Sequence, residues 1–244
     1  MGCGDSFLMN VPVGFLAESR LGFVLGHATP EGIAIIILLA FLSIFAWYTM
    51  IYKALQMRRA GRLNVYFDSE FRAQKTVLSI FDRRLEVNGC PFFAVYQEGC
   101  GELAARLKRA GGDERAVRLS LTSMEHIKRT LESAVARESL KLESGLILLA
   151  IAVSGAPFFG LLGTVWGVMD TFAAVGQQHS ADLLTMAPGV SAALVTTVAG
   201  LLVAIPSMIA YNWLVHTLRV RTVELDNFAQ ELVSKMETEH LKED

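Results

Sequence analysis

Residues 32–52 read GIAIIILLAFLSIFAWYTMIY, twenty-one residues without a charge. At about 1.5 Å of rise per residue, a helix of this length crosses a hydrocarbon core of about 30 Å, so the stretch predicts a transmembrane helix. Two further uncharged runs follow. Residues 144–169 and residues 183–215 contain no Asp, Glu, Lys, Arg or His, which brings the expected number of spans to three. In a chain of 244 residues these runs account for the 52% hydrophobic content and for a mean hydropathy of +0.41, values foreign to an ordinary soluble domain.

Basic residues set the expected orientation, because Lys and Arg near span ends are retained on the cytoplasmic side. Arg20 alone precedes the first span, seventeen basic residues lie between Lys53 and Lys141, none lies between the second and third spans, and four follow Leu218. The N-terminus is therefore expected outside, with the long middle segment and the C-terminal tail in the cytoplasm. A net charge of -2 conceals this asymmetry and leaves no nucleic-acid footprint. With Arg20 its only base, the N-terminal stretch lacks the basic n-region and small-residue cleavage site of a secretory signal, so the first span is expected to persist. Cys3, Cys90 and Cys100 have neither metal-ligand spacing nor a disulfide framework.

Between the spans, the pattern predicts helices. A short helix is expected before residue 31, where Phe15, Leu16 and Phe23 are apolar. Leu55, Leu63, Phe67, Phe71, Leu78 and Phe81 suit a helix over residues 53–85, broken by Asn88, Gly89 and Pro91. A second helix is expected over residues 92–110, ended by Gly111 and Gly112. Asp113 then reads as an N-cap, with Glu114 in the first turn, of a helix running through Glu143 directly into the second span.

Projected at about 100° per residue, both later spans are two-faced. In the second, Ala152, Ala156, Gly160, Gly163, Thr164, Gly167, Asp170, Thr171 and Ala174 share a side. In the third, Gly189, Ala193, Thr196, Thr197, Gly200, Ala204 and Ser207 do the same. Small residues let backbones approach closely in lipid, so Gly160, Gly163, Gly167, Gly189, Ala193 and Gly200 are expected to form helix packing surfaces. Two such stripes are expected to exceed what one three-helix chain can cover, and this predicts a homo-oligomer. Thr164, Thr196 and Thr197 read either as hydroxyls bonded back to their own helices or, taken together, as a polar lining. Asp170 is a functional candidate as an intramembrane carboxylate, or else a helix-end residue solvated at the outer boundary. Pro157 and Pro206 predict bends inside the spans, and Pro188 suits the first turn of the third helix. His179 and His216, at span ends, read as solvated. No nucleophile elbow, phosphate loop, zinc spacing or carboxylate pair is present, so nothing supports an enzyme and no cofactor is called for.

GLLGTVWGVMDTF at residues 160–172, followed by APGVSAALVTTVAGLLVAIPSMIAYN at residues 187–212, resembles the ExbB and TolQ branch of the MotA/TolQ/ExbB proton-channel family. The resemblance implies an all-α inner-membrane protein, with three transmembrane helices and long helices extending into the cytoplasm, that forms a ring-shaped homo-oligomer, typically a pentamer. It implies that the second and third helices line a pore around a dimer of single-span ExbD/TolR-type partners. Those partners carry the proton-binding aspartate and drive a TonB- or TolA-like protein. The family's pore threonines correspond to Thr164 and Thr197. Many members carry a glutamate four residues after the proline of APG, where this chain has Ala192. The resulting division is a periplasmic segment 1–31, spans 32–52, 146–175 and 188–215, a cytoplasmic helical domain 53–145, a periplasmic loop 176–187 and a cytoplasmic helix 216–244. The rival from a different class is a non-conducting membrane scaffold in which the small stripes serve packing alone.

Overall fold

The computed structural model describes residues 29–83, 85–109, 119–178 and 183–240. These residues are helical in six elements: α1 (Pro30–Ala73), α2 (Ser79–Asp82), α3 (Pro91–Arg109), α4 (Leu121–Glu143), α5 (Leu146–Gln178) and α6 (Leu183–His240). Three of them, α1, α5 and α6, are long and apolar enough to cross a membrane. The expected helix before residue 31, the N-cap at Asp113 and His179 lie outside the described residues. The chain divides into two compact units, one of Met1–Tyr48 with Leu148–Ile209 and one of Thr49–Ile147 with Ala210–Asp244.

In the second, charged unit, apolar residues recur every three or four positions and so build one face on each helix. The faces meet in a core of Phe67 and Phe71 from α1, Val95, Tyr96, Cys100, Leu103 and Leu107 from α3, Ile127 and Leu131 from α4, and Leu225, Phe228, Leu232 and Met236 from α6. Phe228 stacks on Phe92 with ring centroids 4.5 Å apart and meets Phe67 and Phe71 edge-on at 6.0 and 5.4 Å. Such pairs add to the area they bury because ring edges and faces carry opposite partial charge. Burial pushes the Cys100 thiol up to about 12 and raises the Tyr96 phenol as well.

Several local expectations are corrected. The helix expected over residues 53–85 ends at Ala73, where Gln74 N–H closes a tighter turn onto Phe71 O (3.2 Å) and the Val77 backbone bonds to distant side chains. Val77 N–H donates to both carboxylate oxygens of Glu239 (3.0 and 2.9 Å), and Val77 C=O accepts from Tyr96 Oη at 2.5 Å. Lys235 closes the same segment by donating to Gln74 O at 2.8 Å. α4 is capped by Ser120, whose Oγ accepts from Ser123 N–H at 3.3 Å. Nor does α4 run into α5. Gly145, at φ +83°, turns the chain between them, a conformation that costs glycine no Cβ clash. The buried Lys53 ammonium covers the carbonyl of Leu142 at that helix end (3.2 Å) and also donates to Gln56 Oε1 (2.8 Å). α6 begins at Leu183, so Pro188 falls beyond its first turn, and the helix continues without a break to His240.

In the apolar unit, Ile35 and Leu39 of α1 pack with Ala156 of α5 and Ala204 of α6. The large residues that the projection set opposite the small stripes face outward: Phe158 is 71% exposed, and Leu161, Trp166, Met169, Leu194, Val198, Leu202 and Ile209 are exposed too. Pro157 and Pro206 both lie inside continuous helix.

Candidate functional site

The small stripes of α5 and α6 face each other. A Cβ added at Gly200 would stand 2.6 Å from Ala156 O, and one at Gly160 would stand 2.9 Å from Thr196 O and 3.0 Å from Thr197 Cα. Farther along, a Cβ at Gly163 would meet Thr196 Oγ1 at 2.6 Å, and one at Gly167 would meet Ala193 Cβ at 2.8 Å. Gly189 lies against Thr171. The pairs ascend α5 while descending α6, as antiparallel helices require. This overturns the expectation that the stripes cannot be satisfied within one chain. Packing in lipid rewards close backbone approach, and the two stripes supply it to one another.

Where the backbones come closest, the three threonines converge. Thr164 Oγ1 and Thr197 Oγ1 share a hydrogen bond that either can donate. Thr164 Oγ1 also reaches Gly160 O (3.2 Å), Ala193 O (3.1 Å) and Thr196 Oγ1 (3.4 Å). Thr196 Oγ1 lies 3.0 Å from Gly160 O and 2.7 Å from Ala193 O, and Thr197 Oγ1 lies 3.2 Å from Gly160 O. Thr196 is 2% exposed, whereas Thr164 and Thr197 are half-buried and keep part of their surface open. The glycines create this cluster: with side chains at residues 160 and 163, the carbonyls and hydroxyls of the two helices could not meet. Hydroxyls both donate and accept, so the cluster forms a small hydrogen-bonded network inside an otherwise apolar unit.

Of the remaining residues singled out by the sequence, Asp170 is half-buried, six residues toward the Gln178 end of α5 from Thr164. It has no hydrogen bond or ion pair among the described residues. His216 is exposed. Ala192 is buried at 5% exposure. Sequence reasoning reached the carbonyls of Gly160 and Ala193 only as acceptors within their own helices and missed that both are shared across the two. Their signal was present: each is the residue one helical turn before a threonine of the set, and a bare or methyl side chain leaves its oxygen open to a neighbour.

Residues 102–227, a little over half of the chain, match the profile of the MotA/TolQ/ExbB proton channel family. The chain is 33% identical over 202 residues to the biopolymer transport protein ExbB of Xanthomonas campestris, covering 81% of this chain and 78% of that protein. It is 34% identical over 173 residues to the Tol-Pal system protein TolQ of Pseudomonas aeruginosa, covering 70% and 72%. Similarity to the ExbB of Neisseria meningitidis is 28% over 215 residues, covering 87% and 95%. Relatives of both names are thus similar at the same level, and identity does not separate the two. The match reaches across the glycine-lined crossing and its threonine cluster, and the chain belongs to the MotA/TolQ/ExbB proton channel family.

Proposed function

We propose that this chain is the channel subunit of an inner-membrane energy-transducing motor. In this reading it couples the proton-motive force to movement of an ExbD/TolR-type partner dimer and so powers TonB-dependent import or Tol-dependent envelope maintenance. The family is one of channel and transport proteins, not enzymes. The chain assembles as a homo-oligomeric ring, a pentamer, with its N-terminus periplasmic and its C-terminus cytoplasmic. The distribution of Lys and Arg supports that orientation. Thr164 and Thr197 carry the proton pathway, Thr196 lies beside them, and Asp170 serves the outer mouth. Gly160, Gly163, Gly167, Gly189, Ala193 and Gly200 hold the helices together, and Pro157 and Pro206 bend them.

The observation that carries this reading is the hydroxyl cluster, with two of its three members still open at the surface of the apolar unit. A proton midway through a bilayer needs oxygen partners, since even a charged side chain free to snorkel costs about 2.5–3.5 kcal/mol there on insertion scales and an unsolvated charge costs more. With no acid at Ala192, the carboxylate that holds the proton belongs to the partner helix, and the hydroxyls face it or order water before it. The scaffold reading draws on one observation: the glycine stripes are satisfied within the chain, so packing alone accounts for them.

Valine at either threonine separates the two. Thr164→Val and Thr197→Val keep nearly the same volume and remove the hydroxyl, so native mass spectrometry should find the assembly unchanged. A hydrogen bond to a charged group contributes about 1.5–3 kcal/mol, so proton flux into vesicles should fall roughly tenfold to a hundredfold. Unchanged flux in both variants would leave the scaffold reading in possession.

A further inference from the structure

We propose that Thr196 is a positioning residue that biases a proton toward the bridge between the Thr164 and Thr197 hydroxyls. This inference rests on the reading that those two hydroxyls carry the proton pathway, and it adds how the third member of the cluster controls them.

Gly160 O and Ala193 O are each committed to a helical amide, since in α-helix geometry they accept from the N–H groups of Thr164 and Thr197 four residues on. A carbonyl oxygen has two lone pairs, so each retains room for one hydroxyl. Three hydroxyls lie within reach of Gly160 O and two within reach of Ala193 O. They cannot all bond there together. Three donors have three short places to go, Gly160 O, Ala193 O and the bridge between Thr164 and Thr197, against one longer contact, the 3.4 Å between Thr164 and Thr196.

Three arrangements fill all three places: one has Thr197 donate to Thr164, Thr164 to Gly160 O (3.2 Å) and Thr196 to Ala193 O (2.7 Å), and two more remain. In one of these two, Thr164 donates to Thr197, Thr197 donates to Gly160 O (3.2 Å) and Thr196 donates to Ala193 O (2.7 Å). In the other, Thr197 donates to Thr164, Thr164 donates to Ala193 O (3.1 Å) and Thr196 moves to Gly160 O (3.0 Å). Of these two, the first leaves both lone pairs open on Thr164 and one on Thr197, and the second leaves one on Thr164 and both on Thr197. The oxygen with the larger open acceptor capacity therefore moves from one helix to the other, with no hydroxyl proton lacking a partner in any of the three arrangements. Without a hydroxyl at residue 196, two donors face three places. Thr164 and Thr197 can then both turn to carbonyls, so that two lone pairs face each other across the bridge. Thr196, at 2% exposure, touches no outside group itself and acts through the other two.

The test uses the full complex purified from its native membranes and placed in liposomes loaded with a pH-sensitive dye, with proton flux started by an imposed potential. Thr196→Val should slow the flux about fivefold, the population effect of one ordinary hydrogen bond. Thr196→Ser should restore it to within about twofold of the parent. Native mass spectrometry should find the same assembly in both. Parental flux in Thr196→Val, with slowed flux in Thr164→Val and Thr197→Val, overturns the inference and leaves the functional reading standing. Parental flux in all three valine variants removes both. Equal slowing in Thr196→Val and Thr196→Ser means that the shape of the threonine matters and not its hydroxyl, which also overturns the inference.

Discussion

Gly200→Ala tests the glycine-lined crossing most directly. The new Cβ would lie 2.6 Å from Ala156 O and 3.1 Å from Gly160 Cα, both backbone atoms that no side-chain rotation can move aside. Restoring an ordinary contact of 3.4 Å requires the two backbones to part by about 0.8 Å at this point. Overpacking of this kind costs about 1–3 kcal/mol. The same separation stretches the bonds from Thr196 Oγ1 to Gly160 O and from Thr164 Oγ1 to Ala193 O, now 3.0 and 3.1 Å, past hydrogen-bond reach, at about 1 kcal/mol each. The expected loss is about 3–5 kcal/mol. Gly176→Ala is the control within α5, since its Cβ would meet nothing within 4 Å and should leave stability unchanged or slightly raised. Both variants can be compared in nanodiscs by reversible SDS titration, with spin labels at the exposed residues Phe158 and Leu202 reporting the separation of α5 and α6. Equal midpoints for the two variants would refute the assignment of the close approach to this glycine.

Two other outcomes follow from features described above. In a Cys3→Ser background, a thiol reagent that cannot cross the membrane should label Gln178→Cys from outside intact cells and spare Ser234→Cys; the reverse pattern would invert the proposed topology. Cys100 is held above its ordinary value of 9.0 at about 12, so the folded state binds that proton more tightly than the unfolded chain does. Its stabilising contribution is complete below pH 9 and declines toward pH 12, by up to about 1.4 kcal/mol per pH unit, with Tyr96 adding in the same direction above pH 10. Urea unfolding followed by near-ultraviolet circular dichroism should show this decline, and a flat profile from pH 8 to 11 would contradict it.

Hydrophobic periodicity made the two-faced character of the later spans legible, because residues three and four apart share a helix side whatever lies opposite. It placed Gly160, Gly163, Thr164 and Gly167 on one face and Ala193, Thr196, Thr197 and Gly200 on another, and these residues meet in the structure. What a period cannot say is which surface a face meets, so the stripes read as more than one chain can cover although they meet each other. The helix end at Ala73 was illegible for a related reason. Phe71, Leu78 and Phe81 have the spacing of a helix face, and the partner that draws the Val77 amide away, Glu239, is 162 residues distant. Gly145 was hidden by its setting: it falls where the charged run ends and the uncharged run begins, and there a glycine reads as part of the span.

The aromatic core of the charged unit also constrains the order of biosynthesis. Phe67, Phe71 and Phe92 surround Phe228, which the ribosome adds only after all of α5 and the apolar part of α6. At about 5–20 residues per second, the interval between Phe67 and Phe228 is on the order of 8–30 s. Throughout that time Phe67 and Phe71 have Tyr96, but all three earlier rings lack Phe228. A nascent chain must therefore keep a half-built aromatic cluster from associating with others while the remaining spans are being made. A message cut short anywhere before α6 would yield a protein that carries that cluster permanently uncovered, a ready signal for the proteases that clear unfinished chains.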